Sequence, residues 1–242
     1  MIHYHGTPLS GGEMSMLAIK ARHACVSFAA PSCLPMVAEM CQSFVLDNGA
    51  FSAWTRGKPL DIDGFRAWVD AWSRHPACDW YLIPDVIDGD EAANDALLDG
   101  WPGGVPVWHL HESLDRLDRL CHTFDRVAFG SSGAFSVIGN PAWWGRMSEA
   151  MEVACDAEGR PIAKLHGLRM LDPTIFSHLP FASADSTNVA RNIGIDAAWK
   201  GTYMPASTRT RALVLMERIE QHASAARWNS TKGVSQNLEL FG

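Results

Sequence analysis

At 242 residues, with 47% hydrophobic and 19% charged side chains, the chain is long enough for one large core and too apolar to be mainly disordered. A formal net charge of −7 excludes a broadly basic nucleic-acid binder, so phosphate contacts would have to come from a local patch of Lys and Arg. The six cysteines form no C-x-x-C pair and no apolar run approaches the roughly 18 residues of a membrane span, which argues against a zinc ribbon, a disulfide framework and a membrane protein. With no basic leader ahead of an apolar segment, the expected location is the cytoplasm.

Short β-rich runs follow one another along the chain at residues 2–5, 24–29, 44–46, 80–83, 105–110, 126–130, 162–166 and 181–184, most of them separated by a helical pattern. The first two connections, residues 6–22 and 31–41, leave room only for short or irregular helices. Later signals are stronger. Residues 61–74 place Ile62, Phe65, Trp68, Val69 and Trp72 on one helical face, and Ser113 is an N-cap for a helix carrying Leu114, Leu117 and Leu120. Pro141 suits a first helical turn, and residues 205–226 carry a helical repeat through Leu213, Met216 and Ile219. This alternation predicts an α/β fold with a parallel sheet, which a doubly wound open sheet would also satisfy. The count of eight runs and the length favour a single (β/α)8 barrel (TIM barrel) as the catalytic domain over residues 1–228, with a flexible tail over 229–242.

Polar residues crowd the ends of these runs: His3 and His5, Asp47, Asp85 and Asp88, His109 and His111, the Gly130-Ser131-Ser132-Gly133 turn, His166 and Asp185. Strand ends converge on one mouth in a barrel, and that is where reacting groups sit. The sharpest local signal is Leu46-Asp47-Asn48-Gly49-Ala50-Phe51, an apolar strand that stops at a carboxylate before a glycine turn. Taken alone it is equally a turn in which Asp47 caps the following amides. Two further strand ends carry acids, Asp85 and Asp185, and grouped carboxylates push their pKa values apart, so that one moves a proton while another stays ionised as a nucleophile. That division suits glycosyl transfer with retention. Phe51 and His166 offer rings to a heterocycle, or pack at a rim.

The order D-N-G-A-F, P-D, V-P-V-W-H, F-G-S-S-G, L-H-G-L, A-D-S-T over roughly residues 44–190 resembles the tRNA-guanine transglycosylase (queuine/archaeosine tRNA-ribosyltransferase) family. The resemblance implies a (β/α)8 barrel in which Asp185 is the nucleophile at C1′ and Asp47 the general acid/base. By the same likeness the base is bound by Asp85, Asn48, Phe51, His109, Gly130, Ser131 and His166. The chain departs from the family at His109, where a glutamine is usual, and at Asn48, where a serine is usual. It also lacks the family's late three-cysteine, one-histidine zinc site, so no metal or cofactor is expected beyond a 7-deazaguanine co-substrate. A short, zinc-free chain is similar to the phage and bacterial branch that inserts 7-deazaguanine into DNA; for a phage protein the host cytoplasm is then the location. A guanine in a duplex would have to be flipped out or met single-stranded.

Arg191, Lys200 and Arg209 are the expected nucleic-acid contacts, with Arg56 and Lys58 a second basic pair, and tRNA is the alternative substrate. The terminal Gln236-Asn237-Leu238-Glu239-Leu240-Phe241 resembles peptides that dock on bacterial sliding clamps, or else packs back on its own domain. A competing reading takes the His3-x-His5 pair with Asp185 as the zinc ligands of a metal-dependent amidohydrolase-like barrel.

Overall fold

The structure is a computed structural model and describes residues 1–229. The terminal peptide from Gln236 to Phe241 lies outside the described residues.

Each apolar run becomes a short strand: β1 (Ile2–Thr7), β2 (His23–Ser27), β3 (Ser43–Asp47), β4 (Cys78–Tyr81), β5 (Val107–His109), β6 (Arg126–Gly130), β7 (Lys164–Gly167) and β8 (Ser183–Ser186). Their order in the sheet is β4-β3-β2-β1-β8-β7-β6-β5. The pairs β1·β2, β2·β3, β3·β4, β5·β6, β6·β7 and β7·β8 are parallel. Parallel neighbours require a crossover, and helices supply it. They are α1 (Glu13–Met16), α2 (Leu34–Met40), α3 (Ala50–Thr55), α4 (Ile62–Trp72), α5 (Glu91–Asp95), α6 (Leu114–Thr123), α7 (Pro141–Ala154), α8 (Pro173–Phe176), α9 (Asn188–Asn192) and α10 (Thr208–Glu220). As the spacing predicts, the first two crossovers hold only the four-residue α1, the seven-residue α2 and flanking 3-10 turns.

The chain divides into two compact units. The amino-terminal unit comprises Ile2–Leu82 and Asp185–His222; the central unit comprises Ile83–Ala184, with Met1 and residues 223–229. In the amino-terminal unit the core is built on the fully buried Tyr4, Val26, Phe44, Leu46 and Phe65. Helix α4 starts where Asp61 accepts a hydrogen bond from the Gly64 amide, and it buries Phe65 and Val69. Ile62, expected on the same face, is instead 36% exposed. In the central unit Ser113 caps α6 by accepting from the Arg116 amide, and Leu117, Leu120 and Cys121 go inside. Asn140 caps α7 at Trp143, with Pro141 in the first turn as expected, and α7 buries Trp143, Trp144, Met147 and Met151. No helix among the described residues is long and apolar enough to cross a membrane.

Strand β1 differs from expectation in a way that matters for chemistry. It runs on to Thr7, so His3 and His5 lie in its body rather than at its carboxyl end. Residues two apart in a strand share a face. Here that face meets the end of α10 and the residues just after it: His3 Nε2 lies 3.0 Å from the His222 carbonyl and His5 Nε2 lies 2.9 Å from Glu220 Oε1. Both histidines are therefore engaged by residues at and just after the end of α10.

Candidate active site

In the amino-terminal unit the D-N-G turn is held by its own side chains. Gly49 sits at φ +77°, in the left-handed region that favours glycine, and a Cβ there would lie 3.0 Å from the Ala29 amide nitrogen. Buried Asn48 accepts from the Ala50 amide at 2.8 Å, at the first residue of α3. Asp47 Oδ1 accepts from the Gly49 amide at 3.4 Å, the turn contact that the local sequence leads one to expect. Phe51 follows in the first turn of α3, 36% exposed.

Asp185, 8% exposed, is the third residue of β8. The chain after it lies against β1 because Gly6 has no side chain: a Cβ at Gly6 would stand 2.8 Å from Thr187 Cγ2 and 2.9 Å from the Ser186 carbonyl. Sequence reasoning passed over Gly6, although a glycine inside a strand is the usual sign of such a close approach. The Cys25 thiol on β2 reports on both acids. Burial pushes it well above the ordinary thiol range, and the charges of Asp185 and then Asp47 push it further. One buried thiol thus feels both proposed reacting carboxylates.

The central unit carries the second group. Asp85 follows β4 and His109 ends β5; Asp85 Oδ2 and His109 Nε2 are 2.8 Å apart, with the imidazole 2% exposed and the carboxylate 8%. His109 Nδ1 is buried without a partner. Gly130 makes the room: a Cβ on it would lie 2.7 Å from His109 Nδ1. His111 stacks on His109 with ring centroids 5.7 Å apart. Its Nδ1 lies 2.7 Å from Ser132 Oγ and its Nε2 3.0 Å from the Gly89 carbonyl.

Behind this pair runs a buried polar network that the sequence did not disclose. The Glu112 carboxylate accepts from the His109 amide at 2.8 Å, from Asn94 Nδ2 at 2.8 Å and from Arg116 at 2.7 Å. Asn94 in turn accepts from the Val86 amide at 2.7 Å, next to Asp85. Arg116 also donates to Asp95 and to the Val107 carbonyl. One side-chain cluster therefore fixes the backbone on both sides of the Asp85–His109 contact. The i,i+4 spacing of Glu112 and Arg116 was the available signal, but it reads as an exposed helical pair until burial is known.

No protein-family model, curated protein or solved structure matches this chain. The chemistry of the residues themselves therefore carries the functional argument. Of the remaining expected contacts, Ser131 turns inward, its hydroxyl accepting from Trp143 Nε1 at 2.9 Å and its carbonyl from Arg169 at 2.8 Å. His166 is buried, with Nδ1 2.9 Å from Ser183 Oγ, which also accepts from Arg126. Arg191, Lys200 and Arg209 are all exposed. Among the described residues, no group of three or more His, Cys, Asp and Glu is arranged to hold a metal ion.

Proposed function

We propose that this protein exchanges a guanine base in DNA for a 7-deazaguanine through a covalent aspartyl-glycosyl intermediate, acting as a closed (β/α)8 barrel in the cytoplasm. Asp185 attacks C1′ and the C1′–N9 bond breaks, its electron pair leaving with guanine, which Asp47 in its acid form protonates. Asp47, now a carboxylate, takes the N9 proton of the incoming 7-deazaguanine. The freed nitrogen attacks C1′ and the bond to Asp185 breaks, so two inversions leave the configuration retained. Asp85 accepts hydrogen bonds from the base edge. His109, 2.8 Å from Asp85 through Nε2, contacts the same base.

The observation that supports this reading best is that Asp47 ends β3 and Asp185 lies one residue from the end of β8 in the same unit, with the chain beyond β8 held against Gly6 near the carboxyl ends of the parallel β1, β2 and β3. A pair of carboxylates offered to one sugar supplies both a nucleophile and a proton carrier. The His3 and His5 bonds to α10 weigh against the amidohydrolase-like alternative.

The test is base exchange with labelled guanine and 7-deazaguanine, offered to DNA and to tRNA in parallel. Incorporation into DNA is expected, with loss in Asp185→Ala. Incorporation into tRNA alone would overturn the DNA assignment, and none in either would overturn the transferase reading.

A further inference from the structure

Charge is unevenly distributed along this acidic chain. The segment between Asp47 and Asp61 holds Arg56 and Lys58 and no acid, and the segment between Asp185 and Glu217 holds Arg191, Lys200, Arg209 and Arg211 against Asp196 alone. These two connections thus carry six of the 20 basic residues and one of the 27 acidic ones. Arg56, Lys58, Arg191, Lys200 and Arg209 are exposed and enter no ion pair among the described residues. The same connections hold large exposed rings: Trp54 is 48% and Tyr203 82% exposed. Trp54 lies beside Phe51, with ring centroids 5.8 Å apart.

Both connections leave the same side of the sheet. Strands β1, β2 and β3 are parallel, and Asp47 is the last residue of β3. The chain leaving β8 touches Gly6, one residue from the carboxyl end of β1. The basic and aromatic residues therefore accompany the two strand ends that carry Asp47 and Asp185.

Cations without carboxylate partners among the described residues, interleaved with solvent-facing rings, match one ligand chemistry in particular: a strand of phosphates whose bases are free to stack. A duplex hides its base faces, and an acidic peptide has no use for the rings. We infer that the residue 50–58 and 191–209 connections form a binding surface for single-stranded DNA, with Trp54 and Tyr203 as stacking residues and Arg56 and Lys58 as phosphate contacts. This inference rests on the reading of DNA as substrate, and it implies that the target guanine is met in a melted or single-stranded stretch.

The test measures binding of a fluorescently labelled single-stranded DNA to the full chain, with duplex DNA and single-stranded RNA of equal length as separate arms and base exchange assayed on the same preparations. Trp54→Ala and Tyr203→Ala are each expected to weaken single-strand DNA binding about 5- to 150-fold, the range for loss of one base-aromatic stack. Trp54→Phe is expected to recover most of that loss. Arg56→Ala with Lys58→Ala is expected to flatten the slope of log affinity against log salt by about 1.4. All four positions are exposed, so unchanged thermal unfolding separates these effects from misfolding. Wild-type exchange with undiminished binding by the Trp54 and Tyr203 variants would overturn the surface and leave the transferase reading standing. Weakened binding without exchange would do the reverse. Tighter binding to duplex DNA or to RNA than to single-stranded DNA would also overturn the surface.

Discussion

Gly130 shows how one missing methyl group supports an electrostatic contact. Its absent Cβ is what allows the His109 imidazole to stand against β6 while Nε2 reaches Asp85. Gly130→Ala forces an atom to within 2.7 Å of Nδ1, so the ring must swing or β6 must move. Overpacking of this kind costs about 1–3 kcal/mol. Thermal unfolding is expected to record that loss, and the imidazole nitrogen signals of His109 should change as the bond to Asp85 is strained. A variant of wild-type stability with unaltered signals would contradict the packing argument. Gly130 was singled out from the sequence for its backbone and for close approach to a flat ligand. The close approach exists, but its first beneficiary is a histidine of the same chain. Ser131 was chosen for the same reason, and its side chain proves to be tied to α7.

Two loops of the central unit depend on a buried network centred on the Arg116–Glu112 ion pair. Arg116 and Glu112 are both buried and their contact is 2.7 Å. Removing one partner of such a pair strands the other charge and costs about 3–5 kcal/mol. Arg116→Leu is therefore expected to lower the midpoint of urea unfolding by an amount of that order. Replacing Glu112 by Leu as well should restore little, since the His109 amide and Asn94 Nδ2 would then lose their acceptor. Full recovery in the double variant would show that the pair is not what holds the loops. Helix existence was largely legible from the sequence at this scale: Ser113, Asp61 and Pro141 mark real helix starts because capping is decided by the next few residues. Strand ends were less legible. β1 extends two residues beyond its expected end, because pairing with β2 through Thr7 and Val26 continues the ladder past the histidines.

Acid is expected to erode the molecule in two stages. Burial lowers the imidazoles of His3 and His23 below their ordinary 6.5, so the unfolded chain takes up protons that the folded one refuses. Stability then falls as pH drops below about 6.5. Burial pushes Glu220 up, but the hydrogen bond and charge of His5, with Arg22, outweigh it and leave the carboxyl below its ordinary 4.5. Its contribution is present above pH 4.5 and is lost as pH falls through the lowered value. Unfolding temperatures followed from pH 7 to pH 3 should decline in both windows, and a flat profile between pH 7 and 5 would contradict the histidine assignment. The sequence by itself determined the alternation of strands and helices, the capped helix starts and the strand-end acids Asp47, Asp85 and Asp185, because periodicity, turn chemistry and capping are settled within a few residues. Only the tertiary structure decided which polar groups are used up internally. His3 and His5 go to α10, Ser131 goes to α7, and Glu112 and Arg116 vanish into a buried network, since burial and pairing are set by residues tens to hundreds of positions away. The same long-range placement leaves Trp54, Tyr203 and their neighbouring cations in solvent, because no element of their own unit covers them.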